Sequence, residues 1–296
     1  MSITSKPKTR KIAKISLKNL GKSMVFMISI GIAFPLLSAS SAQASAPTLI
    51  NYYQFEGNGI DSAGGPTATL FGSNGFGTGK YGSGYVSNGA FSGYLDMGTN
   101  VGLFGAQDFT LGFWFNSPHG SGHLINKRID SLHFITFQLD SSGRIDLELR
   151  GNSPSLGNIF IAPVSSISGL NDGAWHHMAI VRSGSILSLY VDGQLSTIDN
   201  GIGDLDFNDP AYNTANFIFG GTNQYPGLSF FGSLDDLQIY SGALTQSQIS
   251  GSMITPFVAK KSGDEEKEKK EKKEKEKEKK DKKDSGESPS NKKKDK

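Results

Sequence analysis

The 296 residues carry 30 basic and 28 acidic side chains, a near-balance that hides three unlike segments. Residues 1–44 hold seven Lys and Arg and no acid, residues 260–296 hold 17 Lys against 12 Asp and Glu, and the stretch between keeps six basic and 16 acidic residues. So acidic a middle argues against nucleic acid and anionic membranes and suits cations or neutral polymers such as glycans, while the lack of cysteine excludes disulfides, thiolate nucleophiles, Cys-held metals and a lipidated N-terminal cysteine.

Residues 1–44 read as a secretory leader. A long basic segment precedes the apolar run Met24 to Leu37, and Ala42-Gln43-Ala44 offers a small-x-small cleavage site with the cut after Ala44. A run of about 14 residues is short for a span of about 20, and Pro35 interrupts it, so no stable membrane span is expected after cleavage. The product is then secreted or held at the cell surface, with the periplasm as a further compartment. Residues 45–259 suffice for one β-sandwich.

The sandwich opens with the short strand Ile50 to Phe55. Residues 51–110 hold 15 Gly, and Tyr, Phe and Leu recur among them, which indicates brief strands joined by tight turns rather than a linker. Phe109, Leu111, Phe113 and Phe115 alternate with Thr110, Gly112, Trp114 and Asn116, a strand with one apolar face. Strands are next expected at Leu124 to Lys127, His133 to Leu139 and Arg144 to Leu149, with Gly, Ser or Asp between them. From Trp175 to Gln194 two hairpins follow each other. Trp175, His177, Ala179 and Val181 fall on one face, His176, Met178, Ile180 and Arg182 on the other. Ser183-Gly184-Ser185 reverses the chain, and Asp192-Gly193 supplies the pair of positive φ angles a type I′ turn needs. One buried face is expected for this sheet. A polar, acidic loop covers Asp199 to Asn216. Strands at Asn216 to Gly220 and Gly232 to Tyr240 come after it, and Thr245-x-x-Gln248 is a capping box for the one expected helix. From Lys260 the chain is low-complexity. Its Glu→Lys pairs at i,i+4, such as Glu265/Lys269 and Glu271/Lys275, suit a lone surface helix or disorder equally.

Four ordered motifs resemble one family. They are Gly79-Lys80-Tyr81-Gly82 leading to Gly93-Tyr94-Leu95-Asp96-Met97-Gly98, Asp108 to Phe115, the WHH-to-VDGQ hairpins at 175–194, and Phe231 to Tyr240 with Ala243-Leu244. Together they are similar to laminin-G-like, concanavalin A-type jellyroll domains over roughly Leu49 to Met253. The resemblance implies an all-β, two-sheet antiparallel jellyroll. It also implies a place in adhesion or as an accessory module, with a carbohydrate or cell-surface polymer as partner.

Catalysis of the laminarinase type needs three carboxylates alternating on one strand. Asp146 and Glu148 fill two of the places but Arg144 stands at the nucleophile position, so no enzymatic activity is expected; a polysaccharide hydrolase or lyase is the alternative. Adjacent His176 and His177 point to opposite faces and cannot share an ion, and His119 and His123 lack a third zinc ligand. Calcium is the expected ion, since hard cations take carboxylate and carbonyl oxygens from sandwich-edge loops. One candidate set is Glu56, Asp61, Asp235 and Asp236, and the other is Asp204, Asp206 and Asp209. Sugar binding calls for aromatic faces beside planar polar groups, which Trp114, Tyr212, Tyr225 and Asn223 could supply. The remaining alternative is a structural envelope protein that binds through its charged tail.

Overall fold

A computed structural model describes residues 46–89, 93–118, 120–225 and 228–255. The expected leader, the charged tail and His119 lie outside the described residues. Fifteen strands, numbered in chain order, form two antiparallel sheets. The first holds β1 (Thr48–Tyr53), β3 (Gly75–Thr78), β4 (Ser83–Asn88), β6 (Phe109–Asn116), β11 (Trp175–Ser183), β12 (Ile186–Val191), β13 (Gln194–Asp199) and β15 (Phe231–Ser241). They run in the order β13-β12-β11-β6-β15-β4-β3, with β1 also paired to β15. The second sheet holds β2 (Thr69–Phe71), β5 (Tyr94–Asp96), β7 (Gly122–Arg128), β8 (Phe134–Leu139), β9 (Ile145–Ser153), β10 (Gly157–Ile161) and β14 (Ile218–Phe219), ordered β10-β9-β8-β7-β14-β5-β2. This is the predicted jellyroll.

Alternate residues of both sheets meet in one core. Leu111, Phe113, Phe115, Met178, Ile180, Leu189, Leu237 and Ile239 come from the first sheet, and Ile125, Ile135, Phe137, Leu147, Leu149 and Phe219 from the second. Each buried side chain of this kind contributes roughly 1.5–3 kcal/mol. The period-two pattern therefore marks the inner faces correctly.

The central hairpins close as expected, with Asp192 at φ 50° and Gly193 at φ 75°. Burial departs from expectation on the outer side of the same sheet. Ala179, Val181 and Tyr240 point away from the main core, yet a second cluster with Leu244 and Ile249 covers them. The cover is helix α2 (Gln246–Ser252), started by Thr245. The Thr245 hydroxyl accepts from Gln248 N, and the Gln248 side chain accepts from Thr245 N in return. The sequence thus identifies the helix but not that it converts a one-faced sheet into a two-faced one. Thr245→Ala should lower stability by about 1 kcal/mol, read as a shifted midpoint in urea unfolding.

The Asp199–Asn216 loop is also less polar than its composition suggests. Ile202, Leu205, Phe207 and Tyr212 all enter the core, and a short helix α1 (Pro210–Asn213) turns the chain there. Gly151 leaves the room that Tyr212 fills, since a Cβ on it would collide with the Tyr212 hydroxyl. Arg182 ties the loop down from below, donating to the carbonyls of Gly105, Gly184, Gly203 and Leu205. Among the described residues no helix is long and apolar enough to cross a membrane.

Candidate functional site

Strands β7 to β10 each put alternate residues outward, and their register lines those residues up in rows. Glu148 lies opposite Thr136, and Thr136 opposite Asn126. On one side of this row runs a second: Phe160, Arg150, Phe134, Arg128. On the other side Asp146, Gln138 and His123 form a third. Residues 220–225 and 228–230 lie over the β7 end. There Asn126 Nδ2 donates to Thr222 Oγ1 at 3.1 Å, and Gln224 Nε2 donates to Arg128 O at 2.8 Å. The same loop buries His123 under Leu228, and burial lowers the imidazole pKa.

The chemistry of this face is mixed and unfinished. Gln138 Nε2 donates to Asp146 Oδ2 at 3.1 Å, and Glu148 is half-buried. The Arg128 guanidinium carbon stands 3.7 Å from the Phe134 ring centre and 5.5 Å from that of Tyr225. Phe160 and Tyr225 are exposed at the rim. Among the described residues four buried polar side-chain atoms have no hydrogen-bond partner: Asn126 Oδ1, Arg128 Nε, Thr136 Oγ1 and His177 Nδ1. Three of the four sit on this one face. An unsatisfied buried polar atom costs about 1–3 kcal/mol, so native proteins keep few of them, and an ordered water, an ion or a ligand commonly completes each one.

The sequence-derived candidates are scattered by comparison. Tyr225 and Asn223 lie in the covering loop, exposed at the edge of the face. Trp114 is on the outer side of the other sheet. Its indole N–H donates to Met253 O and Lys80 Nζ lies 4.1 Å from the centre of its ring, so it is packed beneath the α2 segment rather than offered to a ligand. Tyr212 is fully buried, its hydroxyl on Arg150 O and its ring against Phe207 and His133. Both are packing residues rather than the surface platforms their sequence context suggests. The rows of β7, β8 and β9 were missed because outward strand positions of this composition read as solvated. Only a loop distant in sequence encloses them. Arg144 does not extend the carboxylate strand: it sits in the preceding turn, ion-paired to Asp140 at 2.9 Å.

The acidic sets do not assemble into a donor cage. Asp61 accepts from Asn51 Nδ2, Tyr52 N, Ala63 N and Gly65 N. Glu56 accepts from Ser83 N, Asp235 from Tyr81 N and Asp236 from the Tyr52 hydroxyl. In the second set Asp204 holds Ser153 and Ser155, Asp206 caps Asn208 N, and Asp209 holds Asn152. Among the described residues no three His, Asp or Glu side chains group as a metal site. As arranged, these carboxylates accept from backbone, side-chain amide and hydroxyl donors.

The family model of the concanavalin A-like lectin/glucanases superfamily matches residues 87–250, more than half of the chain, and the chain belongs to that superfamily. Among solved structures it is similar to domain 4 of AbnA, an extracellular GH43 arabinanase from Geobacillus stearothermophilus solved with arabinotriose. That likeness has 22% identity and a TM-score of 0.54, over 69% of this chain and 98% of that one. It is also similar to the binding domain of Paraclostridial Mosquitocidal Protein 1, at 19% identity and a TM-score of 0.55, over 69% of this chain and 51% of that one. The binding domain of botulinum neurotoxin serotype D gives 16% and 0.50 over the same shares. The chain thus spans about half the length of these two toxin domains, and identities this low establish the fold alone. No curated protein matches the chain in sequence.

Proposed function

We propose that the domain is a non-catalytic glycan-binding module of an exported protein, with its ligand lying across the outward face of β7, β8 and β9. The observation that carries this is the convergence of three unsatisfied buried polar atoms, on Asn126, Thr136 and Arg128, in adjacent rows of one face. Once the side chains enclosing them part, a sugar ring supplies what they lack, hydroxyls that both donate and accept, and it offers an apolar face to the rim rings of Phe160 and Tyr225. Glycan binding is also what the arabinotriose-bound arabinanase domain, of like fold, does. Catalysis is not part of the reading, because Asp146 is held by Gln138 and Arg144 leaves the third carboxylate place empty on β9. Nothing in it is routed through calcium.

Thr136→Val separates this reading from a merely structural one. The change keeps the shape and removes a buried hydroxyl that has no partner, so the free protein should gain about 1 kcal/mol of stability. Binding on a glycan array should weaken about tenfold in the same variant. Tyr225→Ala should weaken binding similarly with an unchanged melting temperature. Thr136→Val protein that is less stable and binds as before would overturn the assignment.

A further inference from the structure

The six basic side chains of the domain have sharply different surroundings. Lys127 and Arg182 are fully buried and donate to backbone carbonyls, Lys127 to those of Thr99 and Ala215. Arg144 pairs with Asp140, and the Lys80 ammonium lies over Trp114. The two others, Arg128 and Arg150, share the row Phe160, Arg150, Phe134, Arg128 on the proposed ligand face. Acids outnumber bases 16 to six in the middle of the chain, yet neither arginine is ion-paired to a carboxylate among the described residues. Arg150 donates from Nε to Asn158 Oδ1 at 3.1 Å, and Arg128 from Nη1 to Asp130 O at 3.2 Å. Arg128 Nε has no partner.

We infer that the ligand is an acidic glycan, bound through its carboxylate or sulfate groups by the guanidinium groups of Arg128 and Arg150. This rests on the glycan-binding reading and narrows it. A guanidinium stacked on a ring keeps its N–H edge free, and that edge matches a carboxylate or sulfate with two parallel bonds. One strand separates the two arginines, so their backbones stand about 10 Å apart, a span of about two sugar rings. Asp146, Glu148 and Gln138 on the neighbouring rows then accept from or donate to the hydroxyls of the same rings. The net negative charge of the domain disfavours indiscriminate polyanion binding, so attraction of an acidic polymer has to come from this local pair.

The test uses the full chain throughout, which keeps the 17 lysines of residues 260–296 constant in every arm. Binding is measured by calorimetry to polygalacturonate, alginate and hyaluronan, each beside its carboxyl-reduced form, and to dextran sulfate. The wild-type protein should bind at least one acidic polymer about tenfold more tightly than its reduced form. Arg150→Gln and Arg128→Gln should each remove about that factor for the acidic polymer and leave the reduced form unaffected. Arg128→Lys, which keeps the charge but loses the fork, should fall between and stands in should Arg128→Gln fail to fold. Binding of dextran sulfate that is lost in the same variants supports the same site with sulfate as the anion. Unchanged acidic-polymer affinity in both glutamine variants overturns the inference, as does equal binding of acidic and reduced forms. If Tyr225→Ala then still weakens binding, the glycan reading survives; wild-type protein that binds none of the polymers sinks both.

Discussion

Arg182→Ala is expected to destabilise the domain by about 4 kcal/mol. The side chain is 1% exposed. Its guanidinium reaches Leu205 O at 2.7 Å, Gly203 O at 3.0 Å, Gly184 O at 3.2 Å and Gly105 O at 3.3 Å, with the Phe207 ring beside it. Burial lowers the guanidinium pKa, and Asp108, Asp204 and Asp206 offset part of that. Truncation removes the donors and leaves several enclosed carbonyls without partners, each costing about 1–3 kcal/mol. Some will find water as the loop loosens, which is why the total stays below their sum. For a domain of this size the loss corresponds to about 10 °C in melting temperature. Arg182→Lys should recover only part of it, because a point charge cannot serve four carbonyls spread around a planar fork. A calorimetric scan of Arg182→Ala that matches wild type within 2 °C would mean, by the same scaling, that the loop is anchored elsewhere.

The second result concerns one buried row. His177, Trp114 and Asp235 lie side by side across β11, β6 and β15. Burial pushes Asp235 up to about 7 and His177 down to about 4. Between pH 4 and 7 the folded domain keeps a proton on Asp235 that the unfolded chain has released. That contribution is complete below about 4 and is lost as pH rises through 7. His177 acts in the opposite sense: from about 6.5 down to 4 the unfolded chain gains a proton that the folded one refuses, so its contribution is present at higher pH and lost in acid. Each slope approaches about 1.4 kcal/mol per pH unit. From pH 4 to 6.5 these two slopes offset each other in the wild type, beside Asp236, which burial also pushes up and which all three proteins keep. Against the wild-type profile, that of Asp235→Asn should tilt upward with pH and that of His177→Gln downward. Parallel profiles for all three proteins in urea titrations would refute the pairing of opposite shifts.

Much of this architecture is legible in the residues before any coordinates. Alternation at Phe109 to Phe115 and the Asp192-Gly193 turn fix strand type, facing and one hairpin, because local sterics decide them. Thr245 and Gln248 announce their helix for the same reason. What the alternation cannot say is what lies over an outward face. Trp114 and Thr136 occupy equivalent outward positions on different sheets. One is sealed by α2 and Met253, and the other is enclosed near residues 220–225 with its hydroxyl unanswered. Those covers come from segments about 85 to 140 positions away along the chain. Tyr212 carried a usable signal: Leu205 and Phe207 alternate with Asp204 and Asp206, the mark of a loop pinned inward rather than one lying on the surface. Arg128 and Arg150 carried none, since an arginine facing outward from a strand is ordinary until its lack of an acidic partner is seen.

The pairing of β1 with β15, followed directly by α2, has a consequence for presentation. The domain's first strand pairs with its last, Thr48 facing Ser241 in register, and α2 packs on the outer face of the same sheet. The rows proposed to hold ligand lie on the opposite sheet. Ala46 and Thr255, where the described residues end, therefore both lie by the sheet opposite the proposed ligand face.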